Sequence, residues 1–62
     1  MLKITPSEAM EFYNSLCEKH RGLMTAEDIA KTMEMEITDA LLYCFAMVYY
    51  GITEKQGDGY AI

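Results

Sequence analysis

Apolar residues recur at helical spacing in three stretches of the chain, and then give way to two short runs separated by a glycine-rich turn. In the first stretch Ala9, Phe12, Tyr13, Leu16, Cys17 and His20 share one side of a 100° wheel, with Glu8, Glu11, Ser15, Glu18 and Lys19 on the other. Thr5-Pro6-Ser7-Glu8 supplies the start: a threonine cap, a proline where its missing amide costs nothing, and a glutamate that completes a capping box. This pattern predicts a helix reaching His20 or Arg21 before Gly22 stops it. Gly22-Leu23-Met24 then reads as a short extended link able to form a small strand.

The next two stretches lie between Thr25 and Ile52. Thr25 and Asp28 form a second capping box, and Ile29, Ala30 and Met33 give the narrow stripe of a helix of about two turns, with Glu27, Lys31 and Thr32 facing water. Glu34-Met35-Glu36 breaks the pattern, Met35 being its one apolar residue. A further helix is predicted from between Glu36 and Thr38 to Tyr50, closed by Gly51 in a left-handed conformation. Ile52–Lys55 and Tyr60–Ile62 read as strands around Gln56-Gly57-Asp58-Gly59, a hairpin loop.

A short helix, a turn with an apolar anchor and a longer helix ending in Gly-Ile are together a helix-turn-helix signature. The stretch resembles the winged helix-turn-helix family without a gap. Ile29-Ala30 looks like the family's Leu-Ala pair, Met33 like its next core position and Met35 like its turn anchor. Ala40, Cys44 and Met47 resemble the inward residues of the recognition helix, and Gly51-Ile52 the turn into the first wing strand. The resemblance implies a mainly α fold with a small β-hairpin: three helices plus a short C-terminal wing, in a single domain over residues 1 to 62. It would also imply DNA binding by the third helix.

Charge works against that last implication. Ten acidic side chains stand against five basic ones, a formal net charge of −5, a poor match for a polyanionic partner. A helix that reads DNA carries Arg, Lys, Asn, Gln or Ser outward, because base edges are read by hydrogen bonds and phosphates by positive charge. On the wheel, Ile37, Ala40, Leu41, Cys44, Met47 and Val48 fall on the inner half of helix three. Leu42, Phe45, Ala46 and Tyr49 fall on the outer half, with Tyr43 and Tyr50 at one border. No charged or amide side chain occurs from Ala40 to Tyr50. A helix apolar all round must be covered all round, and so small a fold cannot cover both sides.

The expected function is therefore non-enzymatic: a protein-interaction module whose interface is Leu42, Tyr43, Phe45, Ala46, Tyr49 and Tyr50, taking a second copy or a larger protein partner. Glu34, Glu36 and Asp39 at the start of helix three, beside Glu27 and Asp28, form an acidic rim suited to a basic surface. A small acidic regulator or inhibitor of a nucleic-acid-binding machine belongs to this class. The competing arrangement lays the first helix or the Met1–Ile4 segment over the same face and makes it core. The alternative function is a DNA-binding transcriptional regulator that dimerises through helix three and touches DNA with Lys3, Lys19, Arg21, Lys31 or Lys55.

Other chemistry is weaker. Cys17 and His20 are spaced to share one helix turn, with Cys44 the one further soft ligand, a set better explained by core packing than by a metal. Cys17 and Cys44 both fall at apolar helix positions and read as buried free thiols of a cytoplasmic protein. His20, the only histidine, has no elbow or oxyanion motif beside it. No cofactor is expected. The uncharged stretch from Ala40 to Thr53 is shorter than the ~20 residues a membrane span requires, so no membrane partner is expected.

Overall fold

The computed structural model describes residues 3 to 62. Its elements run α1 (Pro6–Lys19), β1 (Leu23–Thr25), α2 (Ala26–Thr32), α3 (Ile37–Tyr49), β2 (Lys55–Gln56) and β3 (Gly59–Ala61). Three helices thus pack with one small antiparallel sheet of order β1-β3-β2.

Both capping boxes form. The Thr5 hydroxyl accepts from the Glu8 amide at 3.1 Å while the Glu8 carboxylate accepts from the Thr5 amide at 2.8 Å. Thr25 and Asp28 repeat the exchange at the head of α2, at 3.1 and 3.2 Å. Each box satisfies amides that the first turn of a helix leaves without a partner. The first helix stops one residue short of its sequence limits, because His20 is already extended.

Residue 33 to residue 36 is the whole connection between α2 and α3, and Glu34 takes a left-handed conformation within it at φ 54°. Met35 turns back into the core side, its amide donating to the Ala30 carbonyl at 2.9 Å. The far end of α3 closes as a Schellman motif: with Gly51 at φ 72°, its amide donates to Val48 and that of Ile52 donates to Met47, at 3.0 and 2.8 Å.

The first C-terminal strand begins later than its sequence suggests, at Lys55 rather than Ile52, and the second one residue earlier, at Gly59. Ile52 and Thr53 are still part of the turn out of α3, Thr53 donating its buried hydroxyl to the Ala61 carbonyl. Gln56 and Gly59 pair across the hairpin, which leaves Gly57-Asp58 as a two-residue loop with Gly57 at φ 63°, a position that glycine fills without steric cost. The predicted first strand is present and pairs with β3, Met24 opposite Tyr60. Met24, Tyr60 and Ile62 present the sheet's buried side to the helices.

Leu16 and Ala9 of α1, Ile29 and Ala30 of α2, and Ala40, Cys44, Ala46 and Met47 of α3 complete the core. Ile29, Ala30, Ala40, Cys44 and Met47 are thus buried as expected, and Met33 and Met35 pack half-buried against them. Phe12, Tyr13 and Cys17 are half-buried, whereas His20, predicted on the apolar face of α1, is exposed at the helix end.

Candidate functional site

Helix α3 carries no polar stripe, so its own sequence does not fix which side turns inward; packing against α1 does. Tyr43 stacks on Phe12 of α1 with ring centroids 4.2 Å apart and planes 15° from parallel. Tyr50 donates its hydroxyl to the Ile4 carbonyl at 2.6 Å, just before α1 begins. Between these two, Ala46 is fully buried. Positions 43, 46, 47 and 50 follow the i, i+3, i+4, i+7 rule and form the flank that meets α1 and the chain leading into it.

This rotates the helix by roughly 80° from the sequence wheel, at 100° per residue. Ala46, predicted in the partner interface, belongs to the core instead. Tyr43 and Tyr50 are half-buried and engaged within the chain. In the opposite sense, Ile37, Leu41 and Val48, predicted inward, are exposed. Leu42, Phe45 and Tyr49 are exposed as expected, Phe45 at 60% and Tyr49 at 70%. The outward face is therefore Ile37, Leu41, Leu42, Phe45, Val48 and Tyr49, centred on Phe45.

Covering by the first helix, the competing arrangement, does not occur: α1 takes Tyr43 and leaves Phe45 and Tyr49 open. Ile4 takes only the edge of Tyr50. Met1 and Leu2, the rest of the N-terminal segment in that arrangement, lie outside the described residues.

The acidic rim is assembled at one end of this face. Glu27, Glu34, Glu36 and Asp39 line an open groove of about 840 Å³ between α2 and the start of α3, together with Lys31, Ala30, Met35 and Ile37. Ile37 belongs to both surfaces, so the acidic groove runs directly into the apolar stripe. Asp28 stands apart from it, with its carboxylate committed to the Thr25 cap.

Two of the five cations are engaged separately. Lys31 sits in the acidic groove, and Lys55 donates to the Gly57 carbonyl at 3.0 Å. Among the described residues no three His, Cys, Asp or Glu side chains come together as a metal site, and no helix is long and apolar enough to cross a membrane.

Both thiols are free, Cys17 half-buried rather than buried, Cys44 inaccessible. Burial opposes thiolate formation and pushes the Cys44 pKa from 9.0 to about 11. Tyr60 is shifted upward as well, first by burial and then by Cys44 beside it. The unfolded chain therefore loses these protons before the folded one does. The contribution of Cys44 to stability is fully present below about pH 9 and is lost as pH rises through 11. The urea midpoint should be flat near neutral pH and fall between pH 9 and 11, less steeply in Cys44→Ala. Identical slopes for the two proteins would show that burial does not raise the Cys44 pKa.

What sequence reasoning missed was the membership of Ile37, Leu41 and Val48 in the outward face. Side-chain size gave no decisive signal: Ala40, Cys44 and Ala46 are small and buried, yet the bulky Met47 is buried beside them. No protein-family model, curated protein or solved structure matches the chain.

Proposed function

We propose that the chain is a non-enzymatic protein-interaction domain on a winged helix-turn-helix scaffold, with the outward face of α3 as its docking surface. The order of elements, the short connection between α2 and α3, and a C-terminal hairpin paired with the strand after α1 are compatible with that scaffold. One observation carries the functional reading: the face of α3 left open to solvent holds three aliphatic side chains at its flanks, two large aromatics and a leucine, and its hydrogen-bonding groups are the Tyr49 hydroxyl and, in the first turn, that of Thr38. A duplex presents phosphates and base edges to such a helix, and this face answers neither. A protein surface would bury it, each side chain contributing roughly 1.5 to 3 kcal/mol by area before association costs are subtracted.

The acidic groove that runs into the stripe suits a partner with basic residues beside its apolar contact, and with the net charge of −5 it favours a small acidic regulator of a nucleic-acid-binding protein over a nucleic-acid binder.

Fluorescence anisotropy with a labelled random-sequence duplex separates this from DNA regulation by scattered cations. At about 150 mM salt the chain should show no binding tighter than the ~10⁻⁴ M of weak non-specific association. Micromolar binding weakened by Lys3→Glu, Lys19→Glu or Lys55→Glu would overturn the docking role in favour of a DNA-binding regulator.

A further inference from the structure

We propose that the occupant of the α3 face is a second copy of this chain, packed with the two α3 helices antiparallel about a two-fold axis near Phe45; this rests on the docking role argued above. The area is the first argument. At 38 to 70% exposure, the six side chains from Ile37 to Tyr49 present on the order of 600 Å², as large as the largest patch on an ordinary monomer. Two such faces together would remove on the order of 1,200 Å² from water, the lower edge of a specific interface. Elsewhere among the described residues the exposed large hydrophobics are Met10 and Leu23, one on α1 and one on β1, far too little for a competing patch.

Self-complementarity is the second argument. Homodimer interfaces are more apolar than other contacts, and a face with no charge from Ala40 to Tyr50 meets its own copy without burying one. Phe45 lies at the middle of the stretch from Leu41 to Tyr49, with Ile37 at the rim. An antiparallel pair centred there sets Leu41 against Tyr49 of the second copy and Leu42 against Val48, a large side chain opposite another in each case.

Charge at the two ends fixes the direction. Glu34, Glu36 and Asp39 surround the start of α3. Lys3 precedes Ile4, which the Tyr50 hydroxyl holds at the other end, where Glu54 is the nearby acid in sequence. Parallel packing would crowd two acidic ends together. Antiparallel packing separates them by the helix length, about 20 Å, and opposes the helix dipoles.

The test is light scattering of the full chain from micromolar to millimolar concentration, with circular dichroism beside it. The wild type should approach twice the chain mass, and Phe45→Glu should weaken association about 100-fold or more while keeping its helical signal. Direction is read in a Cys17→Ser background. Phe45→Cys should oxidise to a disulfide dimer with itself; Leu41→Cys and Tyr49→Cys should cross-link with each other when mixed, and each only poorly with itself.

A wild type that stays monomeric overturns the dimer, as does a dimer undiminished in a folded Phe45→Glu, and Leu41→Cys oxidising with itself as readily as Phe45→Cys overturns the antiparallel direction. Should Phe45→Glu lose its fold, the cysteine pairs decide alone. A monomer that also ignores DNA ends the self-association proposal and leaves the docking role standing, whereas DNA binding lost with the surface cations ends the docking role itself.

Discussion

Ala46→Glu should unfold the protein, and Phe45→Glu, one residue earlier on the same helix, should not. Ala46 is fully enclosed on the flank that meets α1, between Tyr43, stacked on Phe12, and Tyr50, bonded to Ile4. A glutamate there must either bring a charge into that flank or force it apart. Overpacking alone costs about 1 to 3 kcal/mol, and an unpaired buried carboxylate adds several more. A chain of 62 residues has about 3 to 9 kcal/mol in all. Phe45 projects into solvent at 60% exposure, so a charge there stays hydrated and removes little from the folded monomer. Far-ultraviolet circular dichroism with urea titration of both variants checks this. A folded Ala46→Glu with a midpoint near that of the wild type would mean that α3 is rotated toward the sequence wheel after all.

That contrast also marks where the sequence stops being legible. Elements with local chemical signatures were readable: Thr5 with Glu8 and Thr25 with Asp28 set the starts of α1 and α2, Gly51 the end of α3, and Gly57-Asp58 the hairpin. Each is decided within a few residues of itself. The rotation of α3 was not readable, because an amphipathic pattern fixes rotation only when one side is polar, and α3 is apolar from Ala40 to Tyr50. Its orientation depends on α1, some thirty residues away, through the Phe12–Tyr43 stack and the Tyr50–Ile4 bond. The candidate face was thus recovered at Leu42, Phe45 and Tyr49, misplaced at Ala46, and incomplete at Ile37, Leu41 and Val48. The start of the hairpin was missed for a similar reason. Thr53 has strand propensity, yet its hydroxyl is spent on the Ala61 carbonyl and its amide on Met47, which holds it in the turn leaving α3.

The acidic groove and the apolar stripe have different physical consequences for any partner. Charges at the groove act over about 8 Å at physiological salt, so they bias encounter and orientation. The stripe acts on contact and governs how long a complex lasts. Raising salt should therefore weaken a basic heterologous partner substantially, while an antiparallel α3 pair, held chiefly by uncharged side chains, should change little.

Ile29→Ala should cost about 2 to 5 kcal/mol, a large part of the total stability, whereas Ile37→Ala, the same substitution eight residues later, should cost well under 1 kcal/mol in the monomer. Ile29 is fully buried on α2, a helix of 7 residues and so too short to hold its hydrogen bonds without packing. Its truncation leaves a void among the core residues that α2 presents to α3, and it loosens the segment that delivers Met35 to its place between the two helices. Ile37 is 39% exposed, and the space its side chain vacates opens to water rather than closing into a cavity. Urea titration at one low protein concentration measures both, with an equal slope for the two variants required for the comparison. At roughly 4 to 8 °C per kcal/mol, Ile29→Ala should lower Tm by at least about 10 °C, and Ile37→Ala by a few degrees at most. Equal losses from the two would mean that composition, and not the side of the helix an isoleucine occupies, sets its contribution, and the division of α3 into a core flank and an open face would fall with it.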